Sequence, residues 1–474
     1  MNPEQAFLSS FEPAVEMLRA HADRGETIRI VTHSDADGIA AGGILSLTVR
    51  RIGACFRTTC EKRVDDGMVA GVASERPNLV IFSDLGSGYL DIFREHLSGR
   101  DIIVLDHHIQ VEVEAPNIVH VNPLLFGLDG ARGVSGAGIA YLFSKRVDPS
   151  NVDLSPLGIV GALADQQDKG EKRTLLGLNR RIEAEAKETG LLETRVDLIF
   201  YGYETRPLAK ALAYTTTPFI PGLSGREDRS LAFLRGAGIE VKRDGRWRAL
   251  RDLEEEEKRI LFSALSKHLI YEGCEAEVVH GLIGTIYTLT AEEAWTPMRD
   301  GREYASLLNA CARMERPSLG LAICLGDRDA AVRDAEAVLG EYRGRIAGYL
   351  DWVREGGRIE ERENIYVLRA EGDIDDRIVG VVASILLSTG ILKKPKPIVA
   401  WAWAEEGLIK VSARATEAMA REGIDLGAVM MEAGEESGGR GGGHDIAAGA
   451  FLPRGHETGF LELVDRLVGE QRKA

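Results

Sequence analysis

Acidic and imidazole side chains gather in four short stretches: His33, Asp35 and Asp37 in HSDADG, Asp84 in SDLGSG, Asp106, His107 and His108 in LDHHI, and Asp165 in GALAD. Carboxylates packed together raise each other's pKa unless cations neutralise them, so a cluster of this density calls for bound metal. Hard oxygen ligands with one or two imidazoles and no thiolate suit Mn2+ or Mg2+ better than a structural zinc. Two such ions about 3.5 to 4 Å apart can stabilise both the attacking and the leaving oxygen of a phosphodiester during in-line displacement. The cysteines (Cys55, Cys60, Cys274, Cys311 and Cys324) contain no CxxC pair and read as small hydrophobes in a reducing compartment, neither a disulfide framework nor a zinc site.

The elements that must position these groups are short β-branched runs alternating with amphipathic helices, the pattern of βαβ units and a parallel sheet. Candidate strands span 27–32, 55–59, 79–83, 102–105 and 118–121, and candidate helices span 38–50, 89–97, 136–145 and 156–164. The acidic and histidine groups then fall at the carboxyl ends of parallel strands, the edge where open α/β sheets bind ligands. His33, Asp35 and Asp37 alternate, so an extended path would point all three the same way. A helix cap accounts for DADG taken alone. Its recurrence beside DHH at successive strand ends favours a metal centre.

A chain of 474 residues implies two to four domains at roughly 100 to 200 residues each. The expected fold class is α/β: a catalytic domain with a Rossmann-like parallel-sheet core over 1–190, a largely helical central insertion over 191–354, and a second α/β domain over 355–474. Residues 206–225, rich in Thr, Pro and Gly, read as a loop or domain junction, and the EEEE run at 254–257 as a solvated helix face. The net charge of -16 argues against a sequence-independent coat on nucleic acid but leaves room for one local basic groove. No apolar run approaches the roughly 18 residues needed to cross a bilayer, and the first residues lack signal-peptide character, so a cytoplasmic protein is expected. Gln occupies only positions 5, 110, 166, 167 and 471, a bias of heat-adapted chains.

Near the far end, glycines between Gly434 and Gly449 surround His444, and Gly441, Gly442 and Gly443 could expose successive N–H groups to a phosphate. Composition alone favours an ordinary turn there. Ser412 and Arg414 share one face of the strand-like VSARA, and Arg414 could fork onto a phosphate. The stretch from Ser135 to Gly138 reads as a helix N-terminus able to bind an anion, with Arg132 beside it as a substrate-channel candidate. Trp401 and Trp403 read as core.

HSDADG, SDLGSG, LDHHI and GALAD, in this order, resemble motifs one to four of the DHH phosphoesterase superfamily, and GGRGGGHDIAAGA resembles the glycine-rich signature of its companion DHHA1 domain. Length and central insertion are similar to the archaeal RecJ-like nucleases, most of all to the GINS-associated (GAN) branch. The resemblance implies one metal on His33, Asp35 and Asp84, and a second on Asp37, Asp84, His107 and Asp165. Asp106 and His108 become substrate-side catalytic groups. The phosphatase spacing HxxxDxD is HxDxD here, as in the RecJ branch. Ser412, Arg414, the GGG run and His444 would touch substrate backbone or terminal phosphate, which places the scissile bond between the two α/β domains.

The resemblance further implies a two-metal exonuclease with Mn2+ or Mg2+, acting 5′-to-3′ on single-stranded DNA and on RNA as a further substrate. Its role would lie in DNA replication and repair, tied through GINS to the replicative helicase. Rival readings are a phosphoesterase for short oligonucleotides, phosphoadenosine phosphate or pyrophosphate, and a mainly structural replisome component.

Overall fold

The computed structural model describes every residue except 1, 112, 114, 275, 390, 473 and 474. Strands β1 (Ile28–His33), β2 (Phe56–Glu61), β3 (Leu79–Ser83), β4 (Asp101–Leu105) and β5 (Ile118–Val121) form a sheet ordered β2-β1-β3-β4-β5, parallel throughout. Successive strand side chains point to opposite faces, and the sheet splits accordingly. Ile28, Ile30, Leu79, Ile81, Ile103 and Leu105 pack with helices Ala36–Arg51, Gly136–Val147 and Ser155–Ala164. Val31, Val80, Phe82, Ile102 and Val104 pack with helices Asp66–Ser74 and Leu90–His96. Burial on both faces explains why β3 is an uninterrupted apolar run up to Ser83.

The middle of the chain carries helices Leu208–Tyr214, Glu227–Gly236, Glu255–Tyr271, Gly301–Arg313 and Pro317–Cys324. It also holds strands that the sequence pattern does not announce: β6 (Leu192–Leu198), β7 (Lys242–Arg243), β8 (Arg246–Trp247) and β9 (Ile283–Leu289). β6 pairs antiparallel with β9, and β7 with β8. The stretch 206–225 is not all loop, because the apolar sequence LAKALAY folds into the helix Leu208–Tyr214 with Leu208, Ala211 and Leu212 buried. Glu254 to Glu256 are exposed, whereas Glu257 turns back to pair with buried Arg248 at 2.6 Å.

The chain divides into two compact units, one of residues 1–205 and 283–342, the other of residues 206–282 and 343–474. The second unit contains β10 (Ile359–Glu361), β11 (Tyr366–Glu371), β12 (Ile398–Trp403), β13 (Leu408–Arg414), β14 (Arg440–Gly443) and β15 (Ala447–Pro453), ordered β10-β11-β12-β13-β15-β14. Only β11 and β12 run parallel. Helices Leu426–Glu436 and Glu457–Gln471 close its core through Val429, Met430, Phe460 and Val464. Here the glycine run departs from a loop: RGGG is the edge strand β14. A Cβ on Gly441 would stand 1.9 Å from the Met430 carbonyl oxygen, so only glycine lets this strand lie on the helix. Trp401 is buried as expected, but Trp403 lies half-exposed at the strand end under Arg454. Cys311 and Cys324 are buried and Cys55 is exposed. Among the described residues no helix is long and apolar enough to cross a membrane.

Candidate metal centre

The carboxyl edge of the parallel sheet builds the site from four chain crossings. β1 ends at His33, and the chain then turns rather than continuing extended. Asp35 caps helix Ala36–Arg51 by accepting the Gly38 N–H at 2.9 Å, and Asp37 lies in that helix's first turn. The three do not point the same way as strand alternation would have them: the turn leaves His33 and Asp35 beside Asp84, and Asp37 beside His107 and Asp165. The Asp37 oxygens accept the N–H groups of Gly136 at 2.7 Å and Ala137 at 2.9 Å. The N-terminus of helix Gly136–Val147, expected to hold an external anion, thus holds this chain's own carboxylate.

Asp84 follows β3 in the left-handed region, with φ of 59°, a conformation costing about 1 to 3 kcal/mol that persists where surroundings over-determine it. Its N–H donates to the Leu105 carbonyl at 2.9 Å. Gly136 packs against it so closely that a Cβ there would stand 2.3 Å from Asp84 Oδ1.

The ligand atoms converge. His33 Nδ1 lies 3.0 Å from Asp35 Oδ2 and 3.5 Å from Asp84 Oδ2. His107 Nε2 lies 3.1 Å from Asp84 Oδ1 and 4.0 Å from Asp37 Oδ2. Three sets each offer atoms within 4.8 Å of one another: His33, Asp35 and Asp84; Asp37, His107 and Asp165; Asp84, His107 and His108. His107 Nδ1 faces the Gly130 carbonyl at 2.7 Å. A carbonyl only accepts, so Nδ1 carries hydrogen and Nε2 is the atom turned toward the carboxylates. Asp106 is buried behind this edge and accepts the N–H groups of Ser87 and His107, each at 2.8 Å. It also holds Nδ1 of the half-exposed His108 ring at 2.8 Å.

Electrostatics favours a cation here. Burial, with Asp84 and Asp165 adding to it, pushes the Asp37 carboxyl well above the carboxylate range. Burial likewise pushes Asp165 up to about 6, Asp84 and Asp35 contributing in the same direction. Burial works against charge on His107, yet Asp84, Asp165 and Asp37 overcome it and raise its pKa well above the usual value. Burial opposes charge on Asp106 too, but His108, His107 and the Ser87 N–H hold that carboxyl far below the usual range. Protons thus take the places that cations would fill. Among the described residues, His33 Nδ1 and Asp84 Oδ2 are buried and, beyond the ionic contacts given above, make no hydrogen bond. Orphaned ligand atoms among carboxylate oxygens and imidazoles fit Mn2+ or Mg2+.

The remaining sequence candidates lie elsewhere. Arg132, half-buried, sits on the turn Asp129–Gly133 next to Gly130 and donates its N–H to Asp129 Oδ1 at 3.0 Å. In the second unit Ser412 is buried on β13, and Arg414 Nε donates to Ser384 Oγ at 3.0 Å. Gly442 stands opposite Gly449. His444 is exposed, its N–H closing the β14–β15 turn on the Ala447 carbonyl at 2.9 Å. Buried Gln167 and Asn179, which sequence reading passed over, stand directly behind Asp165 and Ser135. The scarcity of Gln in this chain was a signal for Gln167; Asn179 had none.

Three family models match: the DHH family, N-terminal domain, over 27–161, the DHH-CID domain over 200–283, and the DHHA1 domain over 363–470. The uncharacterized protein MJ0831 of Methanocaldococcus jannaschii is 31% identical over 450 residues, 94% of each chain. This chain belongs to the DHH/DHHA1 phosphoesterase superfamily. Among solved structures, RecJ of Thermus thermophilus in complex with Mn2+ is similar with a TM-score of 0.59 and 19% identity, over 97% of this chain and 55% of that one. The chain therefore spans about half the length of that RecJ. CDC45 of Entamoeba histolytica is similar with a TM-score of 0.63 and 12% identity, over 98% and 99% of the two chains. The fold is that of RecJ and CDC45, and the candidate site described above lies in and just beyond the DHH match.

Proposed function

We propose that this chain is a divalent-cation-dependent exonuclease for single-stranded nucleic acid, acting 5′-to-3′ on DNA. The observation that carries the reading is the convergence of two ligand sets on Asp84 and His107 at the carboxyl edge of a RecJ-like sheet. One cation would be held by His33, Asp35 and Asp84, the other by Asp37, Asp84, His107 and Asp165. Bound there, the pair would supply Lewis-acid activation of water and neutralise charge on the phosphodiester. RecJ structures solved with Mn2+ and with Mg2+ support a divalent cation of this kind.

The chain's own residues do the rest. Asp84, fixed by its backbone and by Gly136, spaces the two positions. Asp106 accepts from Nδ1 of His108 and, against burial, raises that ring's pKa, so Nε2 of the resulting imidazolium is the atom able to donate hydrogen to a phosphate oxygen or to the departing one. Arg132 would steer the incoming strand. In the DHHA1 domain Ser412, Arg414, the backbone of Gly441, Gly442 and Gly443, and His444 would bind the strand's phosphates. The central segment, with its DHH-CID domain, would dock the GINS complex and so tie the enzyme to the replicative helicase, as in the GAN branch it resembles.

The test is digestion of end-labelled single strands of DNA and RNA with Mn2+, Mg2+ or EDTA, reading polarity from which labelled end yields mononucleotides. Expected is Mn2+-dependent release from the 5′ end, faster on DNA. Faster turnover of pyrophosphate than of any oligomer would move the substrate to small phosphoesters. No turnover of either, with GINS still bound, would leave a structural component.

A further inference from the structure

We propose that Gln167, oriented by Asn179, is a positioning residue that aims Asp165 and His107 together at one of the two cation positions. The proposal rests on the two-cation reading above.

Asp165 lies just past helix Ser155–Ala164, where no strand or helix fixes its side chain, and its Oδ2 accepts from Gln167 Nε2 at 2.8 Å. The same nitrogen lies 3.0 Å from the Gly130 carbonyl and 3.3 Å from that of Val134. Gly130 is the carbonyl that receives His107 Nδ1 at 2.7 Å. One backbone oxygen therefore anchors both His107 and the amide that holds Asp165.

An amide can flip, and only its partners decide which end faces the ligand. Here the polarity is dictated from a backbone N–H, which can only donate. Ser135 N–H points at Asn179 Oδ1 at 3.3 Å. Asn179 must then present Nδ2, which donates to Gln167 Oε1 at 2.6 Å. Gln167 must in turn present Nε2 to Asp165. Both amides are fully buried, so no water competes. Ser135 is also the N-cap residue of helix Gly136–Val147, whose next two N–H groups hold Asp37. One helix N-terminus therefore sets Asp37 directly and Asp165 through two amides. His33 and Asp35 have no link to this chain of bonds among those described, so removing Gln167 should disturb one cation position and spare the other.

Calorimetric titration of the full chain with Mn2+ tests this, with Asp165→Asn and Asp35→Asn marking the two positions. Wild type should bind two ions. Gln167→Ala should weaken one of them about 10- to 100-fold, the range for partners that orient metal ligands, and leave the other within about twofold. Added to Asp165→Asn it should cost nothing more, whereas added to Asp35→Asn its effect should appear in full. Asn179→Asp keeps an acceptor for Ser135 but sets a buried carboxylate oxygen against Gln167 Oε1, which removes the donor and favours the flipped amide. It should weaken the same ion, and serves if Gln167→Ala does not fold. Unchanged affinity for both ions, or equal loss of both, overturns the positioning role while the two-cation reading stands. A wild type that binds no Mn2+ overturns both.

Discussion

The two sheets carry their chemistry in opposite ways. At the carboxyl edge of the first, the candidate groups are side chains: Asp37, Asp84 and His107 are buried within a few ångströms of one another, two carboxyls and an imidazole held where water cannot screen them. On β13, β15 and β14 of the second, the candidate groups are a buried serine, an arginine at a strand end and a run of glycines whose contribution is backbone. The first arrangement is costly without counter-charge, which protons or a cation could supply. The second is hydrogen-bonded as it stands and can wait for a phosphate.

Changes at the first site should therefore be the more severe. Asp84→Asn removes the carboxylate facing both His33 and His107 and should lower the exonuclease rate by about 10^3-fold or more, roughly 4 kcal/mol in the barrier. Oligonucleotide digestion at saturating Mn2+ checks it, and a rate within tenfold of wild type would break the two-set geometry. Gly136→Ala changes none of the candidate ligand residues but drives a Cβ to 2.3 Å from Asp84 Oδ1, which must shift. A displacement on the order of 1 Å can cost about 10^2-fold, so its rate should fall by that amount with KM little changed.

This contrast also explains what the sequence revealed. β3 and β5 fall at the expected residues because their apolar runs are local signals, and Asp84 and the DHH triplet follow at strand ends. HSDADG satisfies both a strand alternation and a helix cap. Residue types do not say where an extended path stops, and the cap prevailed at Asp35. β6 was hidden because LETRVDL is mostly polar and its partner β9 lies some ninety residues on, a pairing that no local pattern encodes. β14 was hidden because glycine carries no strand propensity; a helix packed behind it makes the strand. Gln167 and Asn179 matter only through what they face.

At the second sheet the effect should be smaller and of another kind. Arg414→Ala should raise KM for single-stranded DNA about tenfold with kcat within twofold, since an arginine there would bind phosphate away from the reacting atoms. Arg414→Lys should not restore it, because the fork is lost. Steady-state kinetics on an oligonucleotide decide, and a fall in kcat at unchanged KM would move Arg414 into the chemistry.

The smallest effect is the one in which the two units should differ in sign. In the metal-free first unit Asp165 is raised from 3.8 to about 6, so the folded state binds protons that the unfolded state has released. Its share of stability grows as pH falls through 6 toward 3.8, and His107, also raised, acts in the same sense. In the second unit the Arg248 guanidinium lowers Glu257 from 4.5 to about 2. That contribution is complete above 4.5 and is lost as pH falls toward 2. With EDTA present, the melting temperature should therefore rise by a few degrees between about pH 7.5 and 5, and Glu257→Gln should matter only above about pH 3. Saturating Mn2+ should erase the rise, because cations then occupy the places of the protons and acid weakens their hold. A metal-free chain that melts lower at pH 5 than at 7.5 would mean that the carboxylates of the first unit are already neutralised by protein groups, which would remove the electrostatic case for a cation there.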